Sequence, residues 1–262
     1  MRKNRSLAAW REGHTTIGGW LSIGNGYTAE LMAGLGFDWL CVDMQHGLID
    51  YQDLLAMLPA ISTTDTTPIV RVPWNEASII MKVLDAGAYG VIVPMVNNRA
   101  DAERAVAACR YPPDGIRSFG PLRAGIYGGR GYGGQANSEL ACIPMVETAE
   151  ALENLDEIVS TPGVDGILIG PSDLALALGL PPVGDTDAAP HAEAVKRILA
   201  CCRKHGVAAG IFTGSAAYTR RYIDMGFQFI SLGTDNGFLA RAAIQDLKSV
   251  REALPEREQT GY

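Results

Sequence analysis

Several charged and imidazole side chains stand where short apolar runs end. FDWLCVDM leads into Asp43-Met44-Gln45-His46, PIVRVPW carries Arg71, ACIPMVE closes on Glu147, and GILIGP runs into Ser172 and Asp173. Glu147 and Asp173 are hard oxygen donors with no His or Cys beside them in sequence. Such a pair suits Mg²⁺ or Mn²⁺, with solvent or substrate oxygens completing an octahedron. A second reading stays open, in which both acids merely cap helix N-termini. His46 lies three residues after Asp43, a spacing for a carboxylate-oriented imidazole that works as a general base. The alternative is a surface histidine capping the helix that begins near Asp50. Arg71 sits inside an apolar run and requires an anionic partner, an inter-strand salt bridge to Asp43 or Glu147 being one. Gly170-Pro171-Ser172-Asp173 opens a helix, where free backbone N–H groups suit a small carboxylate. The late GTDNG sequence is a place for phosphate in many barrels, but Asp235 and the lack of a neighbouring Lys or Arg argue against it.

Residues so far apart in sequence meet only if the elements between them bring strand ends together. Strand-like runs occur at 16–23, 37–44, 68–74, 90–96, 141–147, 166–171, 208–214 and 229–234, with amphipathic helical patterns between them. The runs are nearly unbroken apolar stretches, as in a parallel sheet covered on both faces. Helices stop at Gly36, Gly87, Gly206 and Gly226, the usual left-handed C-terminal position. Eight β-then-α units predict an α/β fold, a (β/α)8 TIM barrel over residues 1–262 as a single domain, whose carboxyl face gathers these side chains. A doubly wound sheet is disfavoured, because no GxGxxG follows the first strand. The Gly/Pro-rich segment at 111–140 breaks the rhythm and is expected to lack regular helix over most of its length. It either covers the site with Arg117, Ser118 and Arg123 or makes an inter-subunit contact.

Composition narrows the function further. A chain of 262 residues that is 47% hydrophobic has ample material for a core, and its formal charge of −7 offers no basic footprint for nucleic acid. No apolar run is long enough to span a membrane, and the basic N-terminus lacks the apolar stretch of a signal peptide. Cys41, Cys109, Cys142, Cys201 and Cys202 follow no CxxC spacing and read as thiols in a reducing, cytoplasmic setting.

FDWLCVDMQHG, PIVRVPWN, VLDAGAYGVIVPMV, PMVETAEAL, GVDGILIGPSDLALALG and GIFTG together resemble the class II, metal-dependent pyruvate aldolases of the 4-hydroxy-2-oxoheptanedioate aldolase type, within the aldolase/citrate lyase family. The resemblance runs from about Gly18 to the last helix. It implies a barrel whose last helix is exchanged between subunits of a homo-oligomer, a trimer or hexamer. It implies that Glu147 and Asp173 ligate a divalent ion (Mg²⁺, Mn²⁺ or Co²⁺) and that pyruvate chelates this ion. Arg71 would hold the C2 oxygen, and Gly170, Pro171 and Ser172 would receive the carboxylate. His46 and Asp43 would form a proton-exchanging dyad, and Asp85 would approach a neighbouring subunit's site. Phe212 and Leu232 are expected as apolar walls for the aldehyde.

The implied activity is reversible cleavage of a 4-hydroxy-2-oxo acid to pyruvate and an aldehyde through a metal-stabilised enolate. A cation and a guanidinium can stabilise that charge without a Schiff-base lysine, and Lys82 and Lys196 fall on helices, away from the strand ends. Two positions depart from the family: Gln45 stands where a Glu is common, and Met145 where a Gln is. They bear on substrate scope and rate. The rival readings are a CoA-thioester lyase of the wider family, which needs a basic rim, and a non-catalytic barrel that binds oxo acids or metal.

Overall fold

The alternation of apolar strands and amphipathic helices closes on itself. A computed structural model of the chain describes residues 1–252. Strands β1 (Thr16–Leu21), β2 (Trp39–Asp43), β3 (Thr67–Arg71), β4 (Gly90–Val93), β5 (Ala141–Val146), β6 (Gly166–Ile169), β7 (Ala208–Thr213) and β8 (Phe229–Thr234) form one closed barrel, each parallel to the next. Strand β8 returns to pair with β1. Helices α1 (Arg5–Arg11), α2 (Gly26–Ala33), α3 (Tyr51–Ile61), α4 (Ala77–Asp85) and α5 (Arg99–Cys109) occupy the first half. Then follow α6 (Leu122–Gly128), α7 (Tyr132–Glu139), α8 (Ala149–Glu153), α9 (Leu155–Val159), α10 (Pro171–Ala177), α11 (Ala189–His205), α12 (Ala216–Met225) and α13 (Asp235–Glu252). This is the (β/α)8 architecture that the sequence predicts, and every strand overlaps its expected run. The helical pattern GFLARAAIQDLKSVREAL predicts a last helix that reaches Leu254, a position outside the described residues.

The strand period of two divides the core. Leu40 and Val42 of β2 face the helices, whereas Trp39 and Cys41 face the barrel axis with Ile69, Ile143 and Phe229. Large inward rings fit because glycines face them. A Cβ on Gly18 would lie 2.0 Å from the Trp39 ring, and one on Gly210 would lie 2.3 Å from Phe229. Gly87, Gly206 and Gly226 have positive φ where α4, α11 and α12 stop, as expected. Helix α2 is instead capped by Gly34 in right-handed geometry, and Gly36, also at positive φ, lies two residues beyond it.

Two features differ from expectation. No element was expected before Thr16, yet α1 closes the amino end of the barrel. Its Leu7 and Trp10 join the inner cluster, with the Trp10 ring 4.7 Å from Phe229 and its Nε1 donating to Thr16 Oγ1 at 2.7 Å. The 111–140 segment, expected to be largely irregular, holds α6 and α7. Tertiary contacts outweigh weak local propensity there. Arg123 donates to the Ala86 carbonyl at 2.8 Å and to Ser62 Oγ at 2.7 Å, while Ala124, Tyr132 and Ala136 are buried. Helix α13 touches its own barrel mainly at its first turn, where Asp235 is buried and Phe238 meets Phe37. No described helix is long and apolar enough to cross a membrane.

Candidate active site

The register of neighbouring strands explains how distant residues meet. Asp43 ends β2 directly beside Arg71, which ends β3. The guanidinium clamps the carboxylate with two bonds, Nε to Oδ1 at 2.8 Å and Nη2 to Oδ2 at 2.6 Å, and both side chains are buried. Trp20 of β1 adds an Nε1 bond to Oδ2 at 3.1 Å and lies under the guanidinium, 5.0 Å from its Cζ. Burial alone would raise the Asp43 pKa, but the Arg71 bonds and charge outweigh it and hold the carboxyl below its usual range. The same charge pairing, working against burial, keeps Arg71 above its ordinary value. Of the readings open for Arg71, the inter-strand pair with Asp43 is the one formed. Nε and Nη2 are engaged by Asp43, and Arg71 lines the cavity described below.

Asp43 also shapes the turn that follows it. Its Oδ1 accepts the backbone N–H groups of Gln45 at 3.0 Å and His46 at 3.3 Å. A Cβ at Gly47 would lie 2.3 Å from the Asp43 carbonyl, so this tight turn requires glycine. Asp43 therefore reaches His46 through its main chain, not by the imidazole bond that the spacing suggested. The His46 side chain stands over the cavity, and the Gln45 Oε1 is buried with no partner among the described residues.

On the opposite wall the β5–β6 register, Val146 beside Ile169, puts Glu147 next to Gly170. A Cβ on Gly170 would sit 2.3 Å from Glu147 Oε2, so glycine there is a condition for the carboxylate's position. The other oxygen, Oε1, accepts the Met95 N–H at 2.9 Å. Met95 has φ 55, left-handed backbone that costs a non-glycine residue about 1 kcal/mol or more. Burial raises the Glu147 pKa, and the Asp173 charge adds to the rise while the Met95 N–H and Arg71 oppose it. Asp173 lies in the first turn of α10, after Pro171 and Ser172.

Between these walls lies a cavity of about 310 Å³ at the carboxyl ends of the strands. Asp43, His46, Arg71, Gly170, Pro171, Ser172, Asp173 and Phe212 all line it, with Met145 and Leu168 beneath and Trp20, Ser22, Thr234 and Asn236 around the rest. Glu147 sits behind Gly170. Two expected residues lie elsewhere. Leu232 pairs with Thr213, and the alternation with inward Phe229 and Ser231 turns it to the outer face. Asp85 ends α4 at the opposite end of the barrel, where its Oδ1 takes Arg117 Nη2 at 2.6 Å. Asp235 caps the loop after β1 instead of facing a phosphate, accepting from Ser22 and Ile23 N–H at 2.9 and 3.1 Å. A larger cavity of about 400 Å³ at the amino end is lined by Arg5, Asp38 and Asp65 but by none of the strand-end groups.

Sequence reasoning missed three contributors. Trp20 was legible only as an apolar strand residue, and Met95 only as part of a run. His191 on α11 is fully buried, and its Nε2 lies 3.1 Å from the Pro171 carbonyl, steadying the start of α10. Burial lowers its pKa, which favours the neutral imidazole.

Acids, an arginine and a histidine thus surround one small polar mouth at the carboxyl ends of the strands. The sequence profile of the HpcH/HpaI aldolase/citrate lyase family fits residues 16–242. The chain belongs to this family. The family member is 42% identical over 248 residues to a hydroxypyruvate/pyruvate aldolase of Rhizorhabdus wittichii, covering 95% of this chain and 99% of that one. It is 38% identical over 244 residues to a 4-hydroxy-2-oxo-heptane-1,7-dioate aldolase of Salmonella dublin, covering 92% of each. A solved HpcH/HpaI family structure from Burkholderia cenocepacia superposes with a TM-score of 0.89 at 37% identity, over 95% of this chain and 99% of that one. As a member of this family, the chain is a carbon–carbon lyase.

Proposed function

We propose that this chain reversibly cleaves a 4-hydroxy-2-oxo acid to pyruvate and an aldehyde, using a divalent ion held by Glu147 and Asp173. The observation that carries this reading is the Glu147 carboxylate. It is buried beside a second acid with one oxygen bonded to Met95 and the other free in the space that Gly170 leaves. Two neighbouring carboxylates, one of them desolvated, fit a hard cation such as Mg²⁺, Mn²⁺ or Co²⁺, whose charge offsets their repulsion. When bound, that ion supplies positive charge to the carboxylate and C2 oxygens of the oxo acid.

The remaining steps fall to the chain's own groups. Arg71 faces the C2 oxygen, where negative charge develops as the C3–C4 bond breaks and its electron pair moves into the enolate. Rigid pairing with Asp43 orients the guanidinium before substrate arrives. His46 takes the C4 hydroxyl proton on cleavage, and a proton from solvent then adds to C3 of the enolate to give pyruvate. In the reverse direction C3 loses that proton and His46 protonates the aldehyde oxygen. The N–H groups at the start of α10, around Ser172, receive the substrate carboxylate. Phe212 and Trp20, whose ring centroids are 5.5 Å apart, give the aldehyde portion an apolar wall.

We further propose a homo-oligomer, a trimer or hexamer, in which α13 is exchanged between subunits. Leu239, Ile244, Leu247 and Val250 of α13 are each more than half exposed among the described residues. Ile116, Phe119, Leu122 and Ile126 are exposed on the 111–140 segment, which favours the inter-subunit role for that segment. Because Asp85 lies at the far end of its own barrel, any substrate it serves is a neighbour's. All five cysteines are free thiols, which fits work on dissolved small molecules in the cytoplasm.

The test is pyruvate release from a panel of hydroxy-oxo acids, with and without EDTA. Turnover that EDTA abolishes and Mg²⁺ or Mn²⁺ restores is the expected result. Strict dependence on CoA moves the assignment to thioester lyases, and no turnover by folded, metal-loaded protein overturns it. In Arg71→Ala, kcat should fall by about 10²–10³, as on loss of an oxyanion donor; an unchanged rate refutes that role.

A further inference from the structure

Helix α11 carries Cys201 and His205 four residues apart, so both side chains stand on one helical face. Asp156, in the first turn of α9, meets that face. Its Oδ1 lies 2.9 Å from His205 Nε2 and 3.9 Å from Cys201 Sγ. The same oxygen receives the Lys204 ammonium at 2.6 Å. The sulfur, nitrogen and oxygen donors all lie within 4.8 Å of one another. These helices are on the outside of the barrel, and none of the three residues lines the strand-end cavity.

We propose that Asp156, Cys201 and His205 form a second cation site, selective for a thiophilic divalent ion such as Zn²⁺. A tetrahedral zinc with S, N and O ligands at about 2.0–2.3 Å spaces its donors roughly 3.3–3.8 Å apart. The observed 2.9 and 3.9 Å separations straddle that range, so small side-chain adjustments suffice. Three protein ligands leave the fourth position to solvent, which the 61% exposure of Asp156 permits.

Charge supports the geometry. Hydrogen bonds from His205 and Lys204 hold the Asp156 carboxyl at about 2, so this ligand is anionic at any working pH. Lys204 already places a positive charge on the oxygen that a metal would use. On binding, the divalent ion displaces this ammonium into solvent, and Cys201 releases its thiol proton to the buffer as sulfur coordinates. Sulfur then sets selectivity. Thiolate and imidazole favour Zn²⁺ or Co²⁺ over Mg²⁺, whereas the two carboxylates of the strand-end site favour the harder ions. Cys201 is the one cysteine that is not fully buried, which leaves it open to metal.

The experiment titrates Co²⁺ into the full chain under saturating Mg²⁺ and follows the sulfur-to-cobalt charge-transfer absorption in the near ultraviolet. That signal reports thiolate ligation alone, so its outcome is independent of whether the enzyme turns over any oxo acid. The wild type should develop the band and lose it when Zn²⁺ displaces cobalt. Cys201→Ser should abolish it while keeping the melting curve of the metal-free protein. His205→Ala should weaken Co²⁺ binding by more than about tenfold, the lower end of what loss of an outer-shell partner costs. Lys204→Ala should tighten Zn²⁺ binding severalfold, because the competing ammonium is gone. A band that persists in Cys201→Ser, or a Lys204→Ala variant that binds Zn²⁺ no tighter than wild type, overturns the proposal and leaves a solvated ion-pair network.

Discussion

Arg71, Trp20 and the backbone of Gln45 and His46 all donate to the Asp43 carboxylate, so one side chain sets local stability and site geometry together. Asp43→Asn should cost about 3–5 kcal/mol, because it strands a buried guanidinium. The sign of its pH dependence follows from the lowered pKa. The wild-type carboxylate contributes its full stability above the unfolded value near 3.9 and loses it as pH falls through the lower folded value. Urea denaturation of both proteins should therefore show a constant gap at neutral pH that begins to close only below about pH 4. A gap that closes nearer pH 6 would rule out this pair as its source. Gly170→Ala tests the other wall. Its new Cβ would overlap Glu147 Oε2, so divalent-ion affinity measured by calorimetry should drop at least about tenfold with the fold retained. These residue types and their strand-end positions were legible in the sequence. The Asp43 bond to the His46 main chain was not, since spacing cannot distinguish an imidazole partner from a backbone one.

At the scale of elements, the barrel separates stability from chemistry. The amino end is sealed by α1, whose Trp10 packs on Phe229 and bonds Thr16, far from the strand-end cavity. Trp10→Ala should cost about 3–5 kcal/mol in a denaturation experiment while leaving KM for the oxo acid unchanged. A large rise in KM without lost stability would contradict that division. The eight strands were readable because parallel strands covered on both faces stay apolar along their length. Helix α1 escaped notice because a seven-residue amphipathic segment has little periodicity, and its apolar side chains matter only once a barrel end exists to cover. Helices α6 and α7 escaped for a related reason. Their glycines weaken local preference, and Arg123 and the buried Ala124 and Ala136 restore it through contacts distant in sequence.

For the whole molecule, α13 is the element least explained by its own chain. Its 18 residues form a helix about 27 Å long, yet only Asp235 is buried among the described residues. An apolar stripe of that length is expected to dock on another subunit. Sedimentation velocity should show an assembly larger than a monomer, and the double substitution Ile244→Asp with Leu247→Asp should dissociate it. Sedimentation of the wild type as a monomer at micromolar concentration would sink the exchange of α13. The 111–140 segment belongs to the same scale. Arg117 turns inward to Asp85 and Arg123 ties α6 to α4, while Ile116 and Phe119 face outward.

The sequence by itself determined the barrel, the acids and arginine at its strand ends, and the family, because hydrophobic period and residue type are local properties of the chain. Only the tertiary structure decided which partner each charge takes, that Leu232 faces outward, and that Gly170 makes room for Glu147. Those outcomes depend on register between strands and on distances of a few ångströms, which arise only when separate segments pack against one another.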